Sequence, residues 1–174
     1  SPYSASKASG NFFVNAYFET YKLNVITTSC SNNYGPHQHR EKLIPTIVRT
    51  ALAGKDIPIY GKGDNVRDWL FVEDHCIAID EVFHNGKTGE IYNVGGDKEL
   101  NNLELANKIC DILDELKPKK IKYSKHLTFV EDRKGHDFRY AVDFSKIHNE
   151  LNWNPTKDFE GKLRETIKWC IKNS

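Results

Sequence analysis

The sequence predicts an α/β fold. Two observations carry this: helix-like and β-branched segments alternate along the chain, and no internal repeat interrupts the alternation. A third supports a packed core: apolar residues make up 39% of the chain and charged ones 28%, which is too apolar and too balanced for disorder. A length of 174 residues fits one domain, or one and a fraction. The net charge is only +1, from 25 basic and 24 acidic residues with the signs mixed, so no nucleic-acid partner is expected. No apolar run approaches the roughly 18 residues of a membrane span, and no signal peptide opens the chain. A membrane partner is therefore not expected, and a cytoplasmic location is.

The elements follow in order. Residues 3–22 read as a helix, with Phe12, Phe13, Ala16, Tyr17 and Phe18 clustered at helical spacing. Val25 to Cys30 is a β-branched run and reads as a buried strand. Ser31 to Pro36 reads as a loop. A helix is expected over Leu43 to Leu52, stopped by Gly54. Ile57 to Tyr60 reads as an edge-like strand, because Pro58 lacks a donor. Val66 to Val72 is the next strand, and Glu73 to Phe83 the next helix. Ile91 to Val94 is a strand halted by Gly95-Gly96.

Asn101 and Glu104 have capping-box spacing, ahead of a stripe of Leu105, Ile109, Ile112 and Leu116. Five lysines between Lys117 and Lys125 read as a solvated connection. A strand is expected over Leu127 to Val130, and helices over 144–151 and 159–171. Cys30, Cys76, Cys110 and Cys170 form no CxxC or CxH pair, so no metal site is expected and the thiols read as reduced.

Tyr3 and Lys7 lie four apart and share a helix face. That arrangement suits a tyrosine general base, because a nearby ammonium favours the phenolate. Eight Tyr and 19 Lys in 174 positions give about one such pair by chance, so spacing alone decides nothing. The context is informative. Ser1-Pro2-Tyr3-Ser4-Ala5-Ser6-Lys7-Ala8 resembles the active-site helix of the extended short-chain dehydrogenases/reductases. Arg67 to Asp74 resembles a signature of their sugar-nucleotide members. Ser31-Asn32-Asn33-Tyr34-Gly35-Pro36 and Glu41-Lys42-Leu43-Ile44-Pro45 are similar to the dTDP-glucose 4,6-dehydratases. Pro58-Ile59-Tyr60-Gly61, Tyr92 to Gly96 and Asp132 to Asp137 extend the match over essentially the whole chain.

The resemblance implies the C-terminal part of an NAD(P)-binding Rossmann fold plus a smaller α/β sugar-nucleotide domain. Residues 1–40 would carry the Rossmann part and 41–174 mainly the substrate domain, with about 57–95 returning to the sheet. Tyr3 and Lys7 would be catalytic and would also contact NAD. Asn33 would lie beside the cofactor. Asn32, Glu41, Lys42, Leu43, Ile44, Pro45, Thr46, Pro58, Ile59, Tyr60, Arg67, Asn93, Asp132, Arg133 and His136 would bind the sugar nucleotide. Arg67 and Arg133 are two of only six arginines, the residue type suited to bidentate recognition of a diphosphate. Lys134 departs from the family pattern, where proline is typical, which loosens the expected loop.

The implied activity is dehydration of dTDP-glucose to a 4-keto-6-deoxy product with NAD, in a homodimer. A sibling epimerase or decarboxylase and a non-catalytic sugar-nucleotide-binding fragment are the alternatives. In the family the tyrosine helix also joins a dimer-forming bundle, a purpose that Phe12, Phe13, Ala16 and Tyr17 would serve. The family's Gly-rich loop and its Thr-Asp-Glu cluster are not in this sequence, and neither is any Met. The chain is therefore expected to be a portion of a longer protein, inactive alone.

Overall fold

The computed structural model describes residues 1–173. The first helix, α1 (Pro2–Tyr21), has Ser1 as its N-cap, its side chain accepting from the Ser4 amide, and ends at Lys22 in a left-handed conformation. Val14 and Phe18 are half-buried, and Phe12, Phe13, Ala16 and Tyr17 are exposed. No residue of α1 is fully buried. Strand β1 (Thr27–Cys30) follows and pairs in parallel with β5 (Ile91–Val94).

The segment expected as a loop contains a strand. Residues Asn32–Tyr34 form β2, parallel to β4 (Val66–Phe71), with Asn32 opposite Trp69 and Tyr34 opposite Phe71. Strand β6 (Glu99–Asn101) joins the other edge of β4 antiparallel, and β8 (Arg139–Tyr140) pairs with β4 in parallel. Strand β3 (Ile57–Tyr60) pairs in parallel with β7 (Leu127–Val130).

The helices cover these strands in two cores. The larger gathers Tyr34, Ile44, Ile47, Trp69, Leu105, Ile109, Leu163 and Ile167 among others, from α2 (Leu43–Leu52), α4 (Asn102–Leu116), α6 (Phe159–Lys172) and the strands beneath. The smaller joins Leu70, Tyr92 and Val94 to Ala78 and Val82 of α3 (Val72–Asn85) and Ile147 of α5 (Ser145–Leu151).

Local chemistry explains the helix ends. The capping box at α4 is present in both directions, Glu104 N to Asn101 Oδ1 at 2.8 Å and Asn101 N to Glu104 Oε2 at 3.0 Å. The α2 C-terminus is closed by Gly54 at φ 67° and by Lys119, whose Nζ donates to the carbonyls of Ala51 and Leu52. One lysine of the Lys117–Lys125 run thus has a structural task. Cys110 and Cys170 are buried, Cys30 is half-buried and Cys76 exposed, with no disulfide among the described residues. Burial pushes the Cys110 thiol up to about 12 and the Cys170 thiol up to about 11. Among the described residues no helix is long and apolar enough to cross a membrane, and no His/Cys/Asp/Glu cluster has metal-site geometry.

Candidate functional site

Strand β4 organises the candidate site. Its side chains alternate, so Asp68 and Leu70 face one way while Arg67 and Trp69 face the other. Asp68 is buried and accepts from Gly96 N at 2.8 Å and Lys98 N at 2.9 Å. Those two bonds fix the turn between β5 and β6 against β4. Gly96 is required there by close approach: a Cβ would lie 1.9 Å from the Trp69 carbonyl oxygen. The β4 backbone is therefore held from behind while Arg67 and Trp69 project forward.

In front of them lies a cavity of about 710 Å³, within the range of small-molecule sites. Its walls are contributed by the β2 segment (Asn32), the loop and helix at 39–47, β3 (Pro58, Tyr60), β4, the start of α4 (Asn102) and the loop after β7 (Arg133, His136). Residues 41, 67 and 133 are distant in sequence, and only the fold brings them together.

The cavity's charge comes from a short relay. The Arg133 guanidinium stacks 5.2 Å from the Tyr60 ring centroid, a cation–π contact. Its Nη2 lies 3.0 Å from His136 Nε2, and His136 Nδ1 lies 2.7 Å from Asp132 Oδ1. Arginine has no acceptor, so Nε2 accepts and Nδ1 carries the proton donated to Asp132. The His136 hydrogen bond holds the Asp132 carboxyl below its usual range. Arg67 is pinned by two backbone carbonyls, Nη1 to Val66 O at 2.6 Å and Nη2 to Asp137 O at 2.8 Å. Burial draws its pKa down, although a guanidinium stays charged at neutral pH. With Lys42, these groups make the cavity cationic.

Of the residues expected to bind a sugar nucleotide, Asn32, Glu41, Lys42, Leu43, Thr46, Pro58, Tyr60, Arg67, Arg133 and His136 line this one cavity. Ile44 and Ile59 are buried in the core beneath it, and Pro45 faces a different depression near Trp169. Asp132 stands behind His136. Asn93 sits on β5 opposite Ser29, away from the cavity lining. Asn33 is held by protein partners. Its Nδ2 donates to Cys30 Sγ and to Ser31 O, and its Oδ1 meets His75 Nδ1 at 2.9 Å. Tyr3 and Lys7 lie at the exposed start of α1, and Tyr3 is 73% exposed.

Sequence reading missed His39, Ile47, Trp69 and Asn102 as lining residues. A signal existed for Trp69, because it stands two residues from Arg67 on the same strand and so on the same face. Asn102 was hidden behind its neighbour: Asn101 takes the cap, and Asn102 turns into the cavity with a buried Oδ1 that has no partner among the described residues.

A parallel-stranded α/β framework with a cationic cleft at loops following its strands has the layout of nucleotide-binding α/β proteins. The chain belongs to the family described as GDP-mannose 4,6 dehydratase, whose model matches residues 1–166. It is 53% identical over 174 residues to the dTDP-glucose 4,6-dehydratase of Salmonella typhimurium, covering all of this chain and 48% of that relative. The solved dTDP-glucose 4,6-dehydratase of Bacillus anthracis, in complex with NAD, is similar at 51% identity with a TM-score of 0.89, covering 99% of this chain and 53% of that one. A dTDP-glucose 4,6-dehydratase from Streptomyces venezuelae, with NAD and TYD bound, is 45% identical with a TM-score of 0.91, covering 99% and 52%. The chain spans about half the length of the curated relatives it matches.

Proposed function

We propose that this chain supplies the sugar-nucleotide side of an NAD-dependent dTDP-glucose 4,6-dehydratase. The observation that carries the reading is the convergence of Asn32, Lys42, Tyr60, Arg67, Arg133 and His136 on one cavity. In this reading the two arginines and Lys42 neutralise the diphosphate, and Tyr60 with the adjoining apolar wall takes the base. Residues 41–174 then serve mainly the substrate, with about 57–95 returning to the Rossmann sheet, while α1 and β1 belong to the Rossmann part. The relatives solved or curated as dTDP-glucose 4,6-dehydratases favour this reading over a sibling epimerase.

One observation supports a place for the nicotinamide end of NAD. At the carboxyl end of β1, the buried Ser31 hydroxyl has no partner among the described residues, and Asn33 adjoins it. Tyr3 and Lys7 would hold that end, with Asn33, bonded to Cys30, Ser31 and His75, beside it. Bound NAD would supply a hydride acceptor and donor within one turnover. The chain's own contribution is binding and proton handling: Tyr3 takes the proton of the sugar 4-hydroxyl, and the Lys7 ammonium favours the phenolate that does so. The outcome for the whole protein is loss of water across C5–C6 and a 4-keto-6-deoxy sugar nucleotide. A cytoplasmic homodimer is part of the same proposal. Supporting it are the exposed Phe12, Phe13 and Tyr17 on α1, an apolar face that suits a helical interface.

Calorimetry on the 174-residue chain tests the reading. dTDP should bind with one site per chain, and NAD should bind more weakly, since no Gly-rich loop is in the sequence. Supplied with dTDP-glucose and NAD, the chain should give no multiple turnover. Absence of a dTDP signal contradicts the proposal.

A further inference from the structure

Two arginines have no protein partner. Of the six in the chain, Arg67 donates to Asp137 O, Arg133 meets His136, Arg139 pairs with Glu99 and Arg164 with Glu115. The side chains of Arg40 and Arg49 make no hydrogen bond or ion pair among the described residues. Both are exposed, and both line a second cavity, of about 360 Å³, together with Trp169. That volume is within the range of small-molecule sites. No Asp or Glu is among its described lining residues. The acidic neighbour on the loop, Glu41, lies 3.8 Å from His39 Nδ1 and lines the first cavity instead.

Three segments build this second cavity. Pro45 and Arg49 are one turn apart on α2 and share a face. Trp169, near the end of α6, is half-buried, and the His37 ring braces it at 4.9 Å. The loop carrying Arg40 is tied down at three points. Gln38 Nε2 donates to Asn33 O at 2.7 Å, Lys42 N to His39 O at 2.9 Å, and Thr46 Oγ1 to Arg40 O at 3.2 Å. The backbone beneath both guanidinium groups is therefore fixed, while their donors remain unspent.

We propose that this cavity is a second binding site, for a small organic phosphate that carries a flat ring. Arg40 and Arg49 present two positive charges and two planar donor forks. A phosphate monoester offers close to two negative charges and three acceptor oxygens, which matches them. A carboxylate, with one charge and two oxygens, is satisfied by a single fork. Trp169 and Pro45 supply an apolar wall against which the ring lies. This site is separate from the nucleotide reading of the first cavity and stands without it.

The test uses the 174-residue chain labelled with ¹⁵N at its three tryptophans, titrated with phenyl phosphate, phenol and inorganic phosphate. The Trp169 indole resonance is assigned as the one lost in Trp169→Phe. Phenyl phosphate should shift it saturably and one to one. Phenol should leave it in place, and inorganic phosphate, which has no ring to stack, should bind about tenfold more weakly. Trp153, whose Nε1 donates to Asp74 O at 3.2 Å, serves as the internal control and should stay still. Arg40→Gln and Arg49→Gln change exposed side chains, so a thermal melt should show the fold intact. Each should lower phenyl phosphate affinity about tenfold. The inference is overturned by a Trp169 resonance that stays in place at millimolar phenyl phosphate, that moves as far with phenol, or that is matched by Trp153. Equal affinity for inorganic phosphate, or unchanged affinity in either folded arginine variant, overturns it as well.

Discussion

Replacing Arg67 with lysine probes the cavity most sharply, because charge is conserved and geometry is not. A guanidinium has five N–H donors. In the structure one is spent on Val66 O and one on Asp137 O, leaving three to face the cavity. A lysine ammonium has three donors at a single point and cannot span both carbonyls while also meeting a diphosphate. The variant therefore loses either the loop anchor at Asp137 or the ligand contact. A hydrogen bond to a charged group contributes about 1.5–3 kcal/mol, so Arg67→Lys should weaken dTDP binding by roughly 10- to 150-fold. Calorimetry reads the affinity, and a thermal melt without ligand confirms that the fold persists. Affinity within twofold of wild type would refute the assignment of Arg67 to the ligand, since a point charge would then suffice.

Other outcomes follow from the same geometry. Gly96→Ala places a methyl against the Trp69 carbonyl and should cost roughly 3 kcal/mol or more of stability by urea denaturation; an unchanged midpoint would contradict the close approach. Asn101→Ala removes the α4 cap and should cost about 1 kcal/mol, with amide exchange accelerated only in the first turn of α4. The Asp132 carboxyl, lowered from its ordinary 3.8 by the bond from His136, should show a carboxyl ¹³C titration midpoint below 3.8. Because the folded value is the depressed one, the Asp132–His136 contact is complete above the ordinary value and is lost only as pH falls through the lower one. A midpoint at or above 3.8 would remove the relay. His75, lowered by burial, should likewise titrate below 6.5.

Much of the fold was legible because its signals are local. The Asn101–Glu104 spacing gives a cap, Leu105, Ile109 and Ile112 give a buried stripe, and Thr27-Thr28 within a β-branched run gives a strand. The elements that escaped are those made by distant partners. Asn32-Asn33-Tyr34 has loop composition and becomes a strand only because β4 offers it a parallel edge. Strands β6 and β8 are three and two residues long and exist only as pairings with β4. Within the chain, of Phe12, Phe13, Tyr17 and Phe18, only Phe18 meets a partner outside α1, at Gly89, while the other three stay exposed. At the candidate site, motif resemblance found ten of the lining residues. It could not say which motif residues face the cavity, and Ile44 and Ile59 lie in the core instead. Asn102 comes forward only once burial and unpaired polar atoms are known.

One cationic cavity on this chain is proposed to receive a nucleoside diphosphate. Amide and side-chain shift mapping with dTDP tests it directly. The account predicts a saturable, one-to-one response centred on Tyr60, Arg67, Asn102, Arg133 and His136, with the depression around Asp97, Glu99 and Arg139 unmoved. A response centred on that second depression, or none at saturating dTDP, would contradict it.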